Sequence, residues 1–320
     1  MILLAKEVVV FLLLELVLAI SGLVAFVSAL EILRGWDFQQ VSSAQYRLEK
    51  RAYLVVLIIL FLLTAKLALL PFFAYAVDKL AVIIPGAMCG AGVINANAYG
   101  SVLLKLKIGV LFLSGLWLLV NRTDLQATDY PFFKVKLRLY LAIFGFVVLE
   151  TLLDFLYFAN ISTLTPVQCC SVIFGISGGA DALPLGLQTG SLLQIFYLLF
   201  VLILVLSVAR YSLISLVANA AFLFFAYHAV VDFFGTYIYA LPTHKCPFCM
   251  LQQEYHFVGY LVWGSLFLGT FFGMAAFPLK MILGRETGYL SRYNALFLGL
   301  FVVLNSLFVA VYYLKHGVLL

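Results

Sequence analysis

Charge is what this sequence has least of. Asp, Glu, Lys and Arg together make up 10% of its 320 residues, against about 25% in a soluble globular domain. A water-facing surface over most of the chain is therefore excluded. The intervals between long apolar runs are also short. The longest, such as residues 160–190, are themselves apolar and glycine-rich, which leaves no room for a separate soluble domain. The basic residues, 19 against 14 acidic ones, are scattered singly and form no run, so the net charge of +5 does not suggest a nucleic-acid partner. Strictly alternating apolar and polar residues are missing as well, which argues against an outer-membrane barrel.

What fills the chain instead is apolar sequence, 65% by composition. It comes in runs long enough to cross a bilayer, about 20 residues each. Backbone polar groups in hydrocarbon must be satisfied within the segment, so such runs are helices. The expectation is an all-α polytopic membrane bundle, a single integral membrane domain over residues 1–320. Its eight spans fall near residues 8–32, 52–77, 101–120, 137–159, 191–209, 212–236, 255–278 and 294–314. The first run is too long for a signal-peptide core and is read as a retained span.

Basic residues follow every second span. Arg34, Arg47, Lys50 and Arg51 come after the first, and Arg122, Lys134, Lys136 and Arg138 after the third. Arg210 follows the fifth, and Lys280, Arg285 and Arg292 the seventh. The opposite loops hold only Lys79 and Lys245, with Lys6 and Lys315 in the tails. The positive-inside rule then places the basic loops in the cytoplasm and both termini outside, as in a bacterial inner membrane. Lys6 alone argues the other way.

Cysteine is sparse, with five residues. On that topology all of them, Cys89, Cys169, Cys170, Cys246 and Cys249, face outside. One-sidedness of this kind points to an oxidising compartment or a shared site. The most pointed stretch is His244-Lys245-Cys246-Pro247-Phe248-Cys249-Met250, standing before the seventh apolar run. A helix starting there would put both sulfurs near its N-terminus, where unpaired N–H groups favour a thiolate and hence thiol–disulfide exchange. On the same assumption His256 would lie two turns along from Cys249, as a base or ligand. A c-type haem is disfavoured because Met250, not His, follows Cys249. Neighbouring Cys169 and Cys170 suit separate partners, and Cys89 with either would give a second pair.

Ionisable residues inside the apolar runs are the second signal: Glu15, Lys66, Lys105, Lys107, Glu150, Asp154, His228 and Asp232. Such groups are costly in a bilayer and normally face the bundle interior in pairs. Glu150 and Asp154, and His228 and Asp232, are each four residues apart and share a helix face. They suit a proton relay or, alternatively, structural ion pairs. Lys105 and Lys107 could also snorkel to the surface.

The Cys-x-x-Cys formed by Cys246-Pro247-Phe248-Cys249, with further outside cysteines, resembles membrane thiol–disulfide oxidoreductases of the vitamin K epoxide reductase and disulfide-bond formation protein B types. The resemblance covers those residues and the span behind them, and the helix number differs: four or five core helices there, eight here. It implies a quinone-linked oxidoreductase exchanging electrons with a periplasmic thiol protein. Two other readings fit the same residues. One is a soft-metal site for copper or zinc, with Cys246, Cys249, Met250, His244, Cys89 and Met88 as ligands. The other is a non-catalytic membrane subunit whose outside loops are braced by disulfides.

Overall fold

The computed structural model describes residues 2–37, 42–127, 130–167, 187–209, 211–284 and 287–320. Eight helices among them are long and apolar enough to cross a membrane, so the eight expected spans are present and the chain is an integral membrane protein. We label the helices α1 (Lys6–Gly35), α2 (Ser43–Leu80), α3 (Gly90–Ile94), α4 (Ala98–Leu125), α5 (Phe133–Ala159), α6 (Thr189–Ala209), α7 (Ser212–Ala229), α8 (Gly235–Tyr239), α9 (Val258–Leu283) and α10 (Gly288–His316). A π turn, Val230–Phe234, joins α7 to α8, and together they make one span. Most helices overrun the apolar runs by several residues, because a helix continues past the hydrocarbon until a cap stops it. At the start of α4, for example, the Asn97 side chain accepts a hydrogen bond from the Tyr99 N–H at 3.0 Å.

The helices gather into two compact units, Met1–Leu80 with Ile94–Thr163, and Ala81–Val93 with Leu164–Leu320. In the first unit α1 packs on α2 and α5, and α4 on α2 and α5. Lipid is as apolar as leucine, so apolar side chains alone give these helices little reason to associate; packing and polar contacts do the work. Here five buried charges hold the four helices together: Glu15 from α1, Lys66 from α2, Lys107 from α4, and Glu150 and Asp154 from α5. Lys66 Nζ lies 2.5 Å from Glu15 and 3.0 Å from Glu150. Lys107 Nζ lies 2.8 Å from both Glu150 and Asp154, and 3.6 Å from Glu15. Lys105, by contrast, is exposed, as a snorkelling residue would be. Lys136, counted above with the loop charges, is buried at the start of α5. It pairs there with Asp124 at 2.7 Å and with Asn121 at 3.1 Å.

The second unit uses amides and small residues instead. Its helix α9 packs against α7 and α10, while α6 packs against α7 and α10. Asn294 on α10 donates to Asn219 on α7 at 2.7 Å and to the Gly269 carbonyl on α9 at 2.8 Å. A Cβ at Gly273 would collide with the Asn219 side chain. The absent side chain thus lets three helices share one buried amide knot. In the apolar core of this unit Phe196, Phe222 and Phe301 pack together, with centroids 5.2–6.2 Å apart.

Gly273→Val should force Asn219 out of that knot and destabilise the protein by about 1–3 kcal/mol, the usual cost of overpacking. Thermal unfolding in detergent micelles checks this; an unchanged midpoint would show that the close approach is dispensable.

Candidate functional site

Three buried cysteines meet inside the second unit. Cys89 stands just before α3, while Cys246 and Cys249 lie on the segment between α8 and α9. Their sulfur atoms all lie within 4.8 Å of one another, and Cys89 Sγ is 3.2 Å from Cys246 Sγ. Residues 157 positions apart in sequence thus share one site. Cys89 was expected to face Cys169 or Cys170; those two lie outside the described residues.

Local chemistry holds each arm. The segment carrying Cys89 turns at Gly86, whose φ of +81° is open to glycine. A Cβ there would strike the Val167 carbonyl, and the Val167 N–H donates to the Pro85 carbonyl at 2.9 Å. The Cys-x-x-Cys arm is clamped by a phenol. Tyr239, the last residue of α8, donates its hydroxyl to the Cys246 carbonyl and accepts from the Met250 N–H at 3.1 Å. One oxygen therefore grips both ends of the motif. From α9, Trp263 donates its indole N–H to the Pro247 carbonyl at 3.1 Å. Gly259, at the start of α9, lets the motif lie directly on that helix: a Cβ there would come within 2.6 Å of Met250 Cγ.

The motif does not open a membrane helix. Cys249–Leu251 form a single 3-10 turn, and α9 begins only at Val258. Gln252, in extended conformation, and the left-handed residues His256 and Phe257 (φ 53° and 56°) break the chain between them. The helix-dipole argument for a thiolate therefore fails here. His256 does not lie on a shared helix face with Cys249 and is exposed, as is Met88.

His244 lies within electrostatic reach of Cys89. Its ring packs 4.3 Å from that of Tyr239, and its buried Nε2 has no hydrogen-bond partner among the described residues. Burial lowers its pKa below the ordinary histidine value, against an opposing pull from Cys89. The imidazole is thus neutral near pH 7 and able to accept a proton. Burial also raises the Tyr255 hydroxyl, with Cys249 and Glu254 adding to the effect, so it stays protonated beside the site.

His228 and Asp232 approach one another at 3.8 Å, and Lys245 reaches Asp232 at 3.5 Å. Lys245 therefore ties the cysteine arm to the π turn, which carries Asp232. The other proposed relay residues, Glu15, Lys66, Lys107, Glu150 and Asp154, belong to the first unit. Met250 is buried with its chain against Gly259. Sequence reasoning did not find Tyr239, Trp263, Gly259 or Gly86. Each acts through backbone contacts, and nothing in residue type or spacing marks such a role.

The arrangement has two chemical capacities. Neighbouring sulfurs beside a neutral imidazole can exchange a disulfide, and three converging sulfurs can ligate a soft metal. Set against protein-family models, curated proteins and solved structures, the chain matches none of them, so the reading of the site rests on its own geometry.

Proposed function

We propose that the protein is a membrane thiol–disulfide oxidoreductase, with its cysteines on the extracytoplasmic side of a bacterial inner membrane. The observation that carries this reading is the 3.2 Å approach of Cys89 Sγ to Cys246 Sγ inside the three-sulfur cluster. A tetrahedral zinc site with Zn–S of about 2.3 Å spaces its sulfurs roughly 3.8 Å apart. The closer approach fits a nucleophile resting on its target better than two ligands spread around an ion.

The exchange step follows from the positions. Starting from a Cys246–Cys249 disulfide, the Cys89 thiol gives its proton to neutral His244, and the thiolate attacks Cys246 Sγ. A Cys89–Cys246 bond forms as the Cys246–Cys249 bond breaks, and Cys249 leaves as a thiolate that the imidazolium reprotonates. No electrons are gained or lost in this step; it moves the disulfide. Over a full cycle a substrate dithiol gives up two electrons and two protons to an acceptor of the quinone class, which becomes the hydroquinone. Cys169 or Cys170 would pass electrons to or from a periplasmic thiol protein. The lowered His244 pKa, the resemblance of the Cys-x-x-Cys and the one-sided cysteines support the reading.

Trapping tests the step. On mild oxidation Cys249→Ser should hold a Cys89–Cys246 disulfide, and Cys89→Ser a Cys246–Cys249 disulfide, both seen by peptide mass spectrometry after thiol blocking. Reduced wild-type protein mixed with a short-chain quinone should lose two blockable thiols. If all three cysteines stay reduced, or if one zinc or copper per chain shields them from blocking, the redox reading fails and the metal reading replaces it.

The proton step has its own signature. His244 must be neutral to act and its pKa is lowered by burial. Exchange should therefore hold its rate as pH falls to the ordinary histidine value of about 6.5 and decline only below it. His244→Gln should slow exchange and remove that acid limb, measured as the pH profile of disulfide transfer in the purified protein. A mutant with an unaltered profile would take His244 out of the step.

A further inference from the structure

The charge cluster of the first unit does not balance. Three carboxylates, Glu15, Glu150 and Asp154, meet two ammonium groups, Lys66 and Lys107, and all five side chains are 5% exposed or less. An uncompensated charge in such a place is strongly unfavourable. The two cations are also shared unevenly. Glu150 directs one oxygen at Lys66 and the other at Lys107, at 3.0 and 2.8 Å. Glu15 likewise reaches both, at 2.5 and 3.6 Å. Among the described residues Asp154 pairs only with Lys107, through Oδ2. Its Oδ1 is fully buried and accepts no hydrogen bond among the described residues.

We infer that this cluster is a binding site for one exchangeable proton, held on Asp154 Oδ1. The proton brings the five groups to neutrality, and it sits on the carboxyl with the weakest claim on the cations. A metal ion is the other way to supply a positive charge, since the carboxylate oxygens lie within 4.8 Å of one another. The Lys107 ammonium already occupies that centre, touching all three acids and lying 4.9 Å from the rings of Phe11 and Phe73. A second cation would have to stand against it. The groups facing Asp154 are thus Glu15, Lys107 and Glu150, with Lys66 beyond them and Tyr157 within electrostatic reach. The site can accept or release a proton while its ion pairs stay in place, which suits a relay. This inference does not depend on the cysteine chemistry.

Infrared spectroscopy of the full-length protein in detergent reads the proton directly, as the carbonyl stretch of a protonated carboxyl that shifts in D₂O. Wild type should show this band and Asp154→Asn should lose it. Glu15→Gln should lose it too, because two carboxylates then meet two ammonium groups and no proton is needed. That second variant keeps the test decisive if Asp154→Asn does not fold. Exchanging choline for sodium in the buffer should leave the melting temperature unchanged. A wild-type protein without the band, a band that survives in both variants, or a melting temperature raised by sodium would overturn the inference.

Discussion

Hydrocarbon gives a buried charge nothing to lean on except another charge, and that constraint shapes the first unit. Glu15, Lys66, Lys107, Glu150 and Asp154 come from four different helices, and each is tolerable because opposite charges stand beside it. Removing either lysine would leave its carboxylates exposed to the full cost of desolvation. The cluster therefore defines which faces of α1, α2, α4 and α5 turn inward. The second unit meets the same constraint with neutral groups. Asn219 and Asn294 satisfy one another and a backbone carbonyl, and glycines bring the helices close enough for short amides to reach.

The cysteine site depends on a different economy of contacts. Neither arm is a regular helix. Regular structure would satisfy its backbone automatically, whereas an irregular buried segment needs partners for each polar group. Tyr239 and Trp263 provide them, one from the end of α8 and one from α9. The polar side chains that the motif lacks are thus supplied by its neighbours. The sulfurs are buried within the same packing.

Much of this was legible in the chain itself. Apolar run length marks a span directly, so all eight were found. Most of their ends fall short of the helix ends, because caps such as Asn97 act beyond the apolar run. That Glu150 and Asp154 share a helix face followed from their spacing, but their partner Lys107 did not, because Lys66, Lys105 and Lys107 were equally available and a lysine can also snorkel. The burial of Cys89 against Cys246 did not follow, since positive-inside reasoning assigns a side of the membrane and no distance. Lys136 was misplaced for a related reason: a lysine near a span end looks like a loop charge unless its partner, here Asp124, is known. His256 was given to a helix face because the apolar run at Tyr255 suggested a helix. The left-handed backbone at His256 and Phe257 delays that helix to Val258.

The π turn at Val230–Phe234 has one more consequence. A π turn inserts an extra residue into an α-helical ladder. Everything beyond it is rotated by about 100° relative to an uninterrupted helix. The phase of α8 is thereby uncoupled from that of α7. The face of α7 that carries Asn219 can satisfy its neighbours in the bundle, while Tyr239, twenty residues on, points where the Cys246 carbonyl and the Met250 N–H require it. One inserted residue thus sets the phase of the end of this span independently of its first half.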